Sequence, residues 1–306
     1  MKGAETMIQR SLRGRRLFDL TIRLISVASA MLGIVFLLWI IMVIVLKGGA
    51  ALDWDFFTKR TGPAGIPGTG MGNAIVGTLY LTALATILGV PIGLMTGVFL
   101  SEFGKDHPLS TVVRFVANIL MGTPSILVGV FVYALIVVPM SGFSGYAGGI
   151  ALAILMLPVV ARTTEDMLLL VPNELRESAL ALGAPQWKAI LGIVFRAARS
   201  GLITGVLLAV ARVSGETAPL LFTAFNNSHF IWFGGGGFGE NGPGSYFYDM
   251  SRPAPNLTVS IFQYAMSPYK DWKAQAWGGS LLITGGVLIL SVIARVIFQE
   301  RKHDRR

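Results

Sequence analysis

Three features of the sequence predict an all-α polytopic membrane fold with six transmembrane helices. Hydrophobic residues make up 53% of the 306 and charged residues only 13%, with a mean hydropathy of +0.66, well outside the range of soluble globular domains. The apolar residues fall in runs of about 20 or more, the length a helix rising about 1.5 Å per residue needs to cross a hydrocarbon core of about 30 Å. Lysine and arginine are segregated: segments 1–24, 101–114, 162–199 and 295–306 hold 18 of the 25, the alternate loops hold 6, and Arg212 stands within a span. By the positive-inside rule the four basic segments, both termini among them, are cytoplasmic. The net charge of +9 is thus a topology signal, so nucleic acid is excluded as a partner and membrane lipid is required.

Taken in order, residues 1–24 form a basic cytoplasmic segment, and the uncharged run that follows predicts a first transmembrane helix over 25–46, too long for the apolar region of a cleaved signal peptide. Residues 47–72 are rich in Gly and Pro and read as an extracytoplasmic loop resting at the interface, with Asp53, Trp54 and Asp55. A core of five further spans is expected over 73–298. Its first helix, Asn73 to Leu100, carries Gly89, Gly93 and Gly97 for close packing and Pro91 for a kink. Between Arg114 and Arg162 there are 47 uncharged positions, enough for two spans and a turn at Pro139 to Gly145. Within the first of these, Gly122-Thr123-Pro124-Ser125 interrupts the helix, either as a simple kink or as a break lining a pore. The fifth span is expected after Arg199 and the sixth over Ala276 to Ala294. Residues 226–275 read as a long loop, and 299–306 as a cytoplasmic tail.

Between spans four and five lies VPNELRESALALGAPQWK, too short and polar to cross a membrane. Pro172 suits a first helical turn, Leu175, Ala179 and Leu182 share a face, Gly183 suits the position after the end, and Pro185 prevents continuation. Two short helices over about 172–190 are therefore predicted. The acidic face with Glu174 and Glu177 is ill matched to an anionic membrane surface, which favours protein contact over a helix lying on lipid.

The chemistry concentrates in LLAVARVSGETAPLLFTA. Arg212 and Glu216 are four residues apart, so on one helix they share a face about 6 Å apart along the axis. A charge at mid-bilayer costs roughly 2.5–3.5 kcal/mol on insertion scales, so such residues face protein or a water-filled path. Two roles are open for the pair: contact with a transported species, or an ion pair holding the bundle together. Thr123, Ser125 and Thr217 offer hydroxyls either to the same path or to helix backbone. The chain has no cysteine, its three histidines are scattered, and no metal site is expected. The four glycines at 234–237 resemble a phosphate cradle, but no GxxxxGK[ST] accompanies them and they read as a flexible connection. Without that motif any ATP hydrolysis takes place on another polypeptide, and this chain is not itself an enzyme. A proton-coupled secondary transporter using Glu216, a channel, and the membrane half of an ATP-driven pump all fit these residues.

The string ESALALGAPQWKAILGIVF resembles the EAA loop of ABC importer permeases. Glu177, Ala179 and Gly183 stand at matching positions, with Ser178 in place of the first alanine and Arg196 where the pattern has proline. The resemblance implies coupling helices seated on an ATPase, with Glu177 making polar contacts and Gly183 permitting the turn. ARVSGETAPLLFTA and RTTEDMLLLVPNELRESALALGA resemble the PstA-type permease subunits of bacterial phosphate ABC importers, a likeness running roughly from Asn73 to Phe298. This implies a type I importer permease in the bacterial inner membrane that moves inorganic phosphate by alternating access. It also implies a PstC-type permease, an ATP-binding subunit dimer carrying the ATP and Mg, and an extracytoplasmic phosphate-binding protein, with no cofactor on this chain. Arg212 fits such a substrate, because a guanidinium donates two parallel hydrogen bonds to phosphate. Glu216 would steady Arg212 or accept a hydrogen bond from a protonated phosphate oxygen. Sulfate, molybdate and phosphonate permeases are the near alternatives, and a proton-coupled anion transporter the distant one.

Overall fold

The computed structural model describes residues 2–66, 68–104, 107–228 and 250–298, all of them helix, turn or irregular connection. In chain order the helices are α1 (Lys2–Gly48), α2 (Trp54–Thr58), α3 (Gly72–Val98), α4 (Pro108–Gly122), α5 (Ser125–Val132), α6 (Gly145–Leu169), α7 (Asn173–Ala181), α8 (Gln186–Ala189), α9 (Phe195–Ser214), α10 (Ala218–Thr223), α11 (Leu257–Met266) and α12 (Lys270–Phe298). Among the described residues, five helices are long and apolar enough to cross a membrane, and a bent pair, Pro108–Gly122 with Ser125–Val137, turned through 104° at the break, makes a sixth when counted as one span. The fold is all-helical and polytopic, as the runs of apolar residues predict.

Small residues set the central packing. α3 and α6 run parallel in close contact: a Cβ built on Gly89 would lie 3.2 Å from the Met156 Cβ, one on Gly93 2.8 Å from the Val160 Cβ, and one on Gly97 would overlap Thr164. The stride of four residues on both helices is the close approach that glycine permits between apolar helices. α9 crosses α6 in the opposite sense, with Gly201 against Met167 and Gly205 against Thr163. Leu81, Ala85, Leu152, Met156, Val160, Ala209, Val213 and Leu220 form the core where these helices meet. α3 runs without a break through Pro91, so the expected kink does not interrupt the span.

The periphery differs from the sequence expectation in several places. α1 is helical from Lys2, so the basic N-terminal segment is a continuation of the first span; the apolar window of that span is wholly exposed. The 47–72 loop contains α2, capped by Asp53, whose Oδ1 accepts from the Phe56 amide at 2.7 Å. Phe56 is buried with Met71, Ala74, Leu257 and Tyr264, which anchors the loop to the bundle, while Trp54 stays exposed. The helix that carries the fifth span begins at Gln186, through a π turn at Ile190–Val194, ahead of Arg199. α12 begins six residues before Ala276, and Lys270 lies at its first turn. Residues 226–275 are not all loop, since they contain α11; the glycine run at 234–237 and the tail at 299–306 lie outside the described residues.

α11, ten residues long, is too short to span. Asn256 caps it by accepting from the Val259 amide at 2.9 Å, and Tyr264 stacks on Trp272 with ring centroids 4.6 Å apart. Burial pushes the Tyr264 hydroxyl up to about 12 against the opposing effect of its hydrogen bond with Thr61, so it stays protonated at physiological pH.

Candidate functional site

One apolar pair is bent at a break and the fifth span stops at another, and the sequence explains both. In the first, Pro124 forces Thr123 into extended backbone (φ −77°, ψ 133°) and itself precedes the first turn of α5. The Thr123 hydroxyl donates to the Ile119 carbonyl at 2.7 Å, repaying one acceptor that the break frees; Ser125 is half-buried and makes no side-chain hydrogen bond among the described residues. The second break falls at Gly215–Thr217, after α9 and before Pro219 in the first turn of α10. Its carbonyls are met in turn: Ser214 Oγ donates to Ala211 O at 2.8 Å, the Gly215 amide to Arg212 O at 3.2 Å and the Glu216 amide to Val213 O at 3.1 Å. Thr258 Oγ1, from α11, donates to Glu216 O at 2.9 Å. The short helix between spans thus reaches inward to the break.

Arg212 and Glu216 consequently do not share a face of one continuous helix, because α9 ends at Ser214. Arg212 is exposed, Glu216 and Thr217 are half-buried, and the side chains of Arg212 and Glu216 form no ion pair with each other or with any other described residue. The bundle-holding ion pairs lie elsewhere: Arg114 and Arg162 share Glu165 at 2.6 and 2.9 Å, and Arg176 meets Glu102 at 2.7 Å. Sequence reasoning missed Arg114–Glu165 and Glu102–Arg176 because the partners are too far apart in the chain for any spacing rule, whereas Arg162 and Glu165, three apart on α6, carry a signal that spacing could have found.

The helices that follow the two breaks pack together. Beyond the breaks, α5 and α10 touch backbone to backbone, since a Cβ on Gly129 would lie 2.6 Å from the Pro219 Cα. The outer end of α10 is closed by Phe225, whose left-handed backbone (φ 54°) is held by the Asn256 amide donating to its carbonyl at 2.7 Å. Thr123, Ser125, Arg212, Glu216 and Thr217 therefore all lie at or beside two helix breaks, each followed by a short helix, α5 or α10. Half-helices of this kind place polar backbone and charges where a solute can be bound inside a membrane.

At the other end of the bundle, α7 and α8 form the short helical pair expected over 172–190. Gly183 takes the left-handed conformation (φ 80°) that ends α7, while Pro172 stands at the cap rather than within the first turn. The expected apolar face is not the buried one: Ala179 is buried, but Leu175 is exposed and Leu182 is 89% exposed. The inward face is made instead by Ala179 and Arg176. That leaves Glu174, Glu177, Leu180, Leu182 and Trp187 pointing outward. Among the described residues there is no cluster of three His, Cys, Asp or Glu suited to a metal ion.

Known proteins share both the fold and the sequence. The chain covers 93% of a subunit of the MetNI methionine ABC transporter, in an inward-facing conformation, with a TM-score of 0.58 at 19% identity over 74% of this chain. It is 46% identical over 279 residues, 91% of this chain and 89% of the relative, to the phosphate transport system permease protein PstA of Yersinia pestis. The PstA of Haemophilus influenzae is likewise 46% identical over 278 residues, 91% of this chain and 93% of the relative. The family model for the binding-protein-dependent transport system inner membrane component matches residues 89–301, which contain both breaks and the α7–α8 pair, and so this chain belongs to that family, on its PstA branch.

Proposed function

We propose that this chain is a permease subunit of an ATP-driven importer that moves inorganic phosphate across the bacterial inner membrane. The observation that carries the reading is Arg212: a permanent cation within an apolar span, on an exposed face, with no carboxylate partner among the described residues. Such a group is too costly to leave against lipid. Its face, with Leu208 and Gly215 one turn away on either side, is covered by a PstC-type permease, and the anion passes between the two subunits. Arg212 offers it a fork of donors; Ser125 and Thr217 line the same path, whereas the Thr123 hydroxyl is turned to its own helix. Glu216 favours a protonated phosphate oxygen, which sulfate does not carry at neutral pH.

The outward residues of α7 seat the subunit on an ATP-binding dimer that holds the ATP and Mg, with Glu177 giving polar contact and Ala179 and Gly183 shaping the helix and its turn. Both termini are cytoplasmic, and a phosphate-binding protein delivers substrate at the opposite surface. Closure of the ATPases moves α7 and α8, and the half-helices beyond the two breaks rock between two packings to change the accessible side. This chain does no covalent chemistry.

The test is phosphate uptake by the assembled complex in proteoliposomes. Uptake is expected to require ATP and the binding protein and to resist excess sulfate, molybdate or phosphonate. Displacement of phosphate by one of these reassigns the substrate, and uptake by this chain alone under a pH gradient removes the pump. Glu177→Lys is expected to reduce co-purification of the ATP-binding subunit several-fold, because reversing a charge at a docking surface turns an attraction into a repulsion. Unchanged recovery removes the role given to Glu177.

A further inference from the structure

Two arginines from different elements grip one short turn at the end of α3. That turn, Phe99–Phe103, is π-helical, a local widening of the helix that recurs at functional positions. From α7, Arg176 closes a fork on Glu102, with Nη2 donating to Oε1 at 2.7 Å and Nε to Oε2 at 3.1 Å. The same guanidinium donates to Leu168 O at 2.7 Å and Val171 O at 2.6 Å. Only 14% of the Arg176 side chain and 6% of Glu102 are exposed. From α4, Arg114 Nη2 donates to Leu100 O at 3.1 Å while Nε donates to Glu165 at 2.6 Å.

A buried ion pair adds little net stability over apolar packing, yet removing one partner is costly. Arg176–Glu102 is therefore poor value as glue and effective as a stiff connection, since a bidentate fork fixes both distance and orientation. The elements it connects are the ones that have to move together. α7 is outward-facing at the base of the bundle, and α4, held at the same turn, runs about 12 Å from Arg114 to the break at Gly122–Ser125.

We infer that the π turn Phe99–Phe103 is the transmission joint of the subunit: displacement of α7 enters it through Arg176–Glu102 and leaves through Arg114 to α4, shifting the break at Gly122–Ser125. The inference rests on α7 being the ATPase-docking helix. Arg176 and Glu102 are positioning residues, which act on the anion path without touching it.

The test uses the complete complex of both permeases, ATP-binding subunits and binding protein in proteoliposomes, with phosphate imported per ATP hydrolysed as the readout. Glu102→Ala and Arg176→Ala are each expected to lower that ratio about tenfold, within the usual range of coupling between sites, while the ATP-binding subunits co-purify in wild-type amount. The double variant is expected to be no worse than either single one, because both remove the same link. Glu102→Gln keeps the side-chain shape and one acceptor for Arg176, and is expected to recover part of the ratio. A purely structural role lowers the yield of complex, uptake and hydrolysis together and leaves the ratio unchanged, and that result overturns the joint, as do additive losses in the double variant. If the alanine variants fail to assemble, Glu102→Gln decides: a ratio about threefold below wild type supports the joint, and a wild-type ratio overturns it. Failure of the unmodified chain to hold the ATP-binding subunits is a different outcome, since it removes the docking-helix reading itself.

Discussion

Arg212→Ala is expected to lower phosphate uptake about a hundredfold or more while the complex still assembles. The reasoning starts from what the side chain does not do. It makes no ion pair among the described residues and lies exposed beside a break in its span, so truncating it removes no contact on which the fold of this chain depends. What is lost is a pair of charge-assisted hydrogen bonds to the anion, each worth about 1.5–3 kcal/mol. A loss of about 3 kcal/mol from the passage step is about a hundredfold in rate. Arg212→Lys keeps the charge but not the planar fork and should fall between the two. Uptake in proteoliposomes, alongside recovery of the ATP-binding and partner subunits, checks both halves; a variant that cannot assemble would assign Arg212 a structural role instead.

Gly129→Val should be the most damaging apolar substitution near the path. A Cβ at Gly129 would lie 2.6 Å from the Cα of Pro219, and backbone cannot turn aside as a flexible side chain can. α5 and α10 must separate, at an overpacking cost of about 1–3 kcal/mol, and the two half-helices cease to move as one. We expect a lower thermal midpoint of the purified complex and a greater loss of uptake than of stability. Gly122→Ala is the control. It sits at the break itself, yet nothing lies within 4 Å of its added Cβ, so its packing cost should be near zero. Equal effects from the two substitutions would show that contact between the half-helices is unimportant.

Both breaks were marked in the sequence by the same chemistry, a glycine followed within a few residues by a proline, and the first was legible as an interruption. Its severity was not, because the 104° turn depends on what α5 packs against once it leaves the line of α4. The second was misjudged as continuous helix: the spacing of Arg212 and Glu216 is a helical spacing, but Gly215 and Pro219 outweigh it. The α7 boundaries were readable from Pro172, Gly183 and Pro185, while its buried face was not. Leu175 and Leu182 face outward because the inward position is taken by Arg176, drawn to Glu102 by a charge 74 positions away. α11 carried a signal that went unused, a capping Asn256 ahead of Leu257, Ile261 and Tyr264 at helical spacing.

The sequence alone determined the all-helical polytopic class, the short helical pair at 172–190 and the family resemblance, because hydropathy, local punctuation and motif spacing are properties of neighbouring residues. Only the tertiary structure decided that α5 and α10 pack together beyond the two breaks, that Arg212 and Glu216 form no ion pair, and that Arg176 and Arg114 converge on one turn of α3. Those are relations between residues distant in the chain, fixed by helix register and by the close approach that Gly89, Gly93, Gly97, Gly129 and Gly205 allow, and no local pattern encodes them.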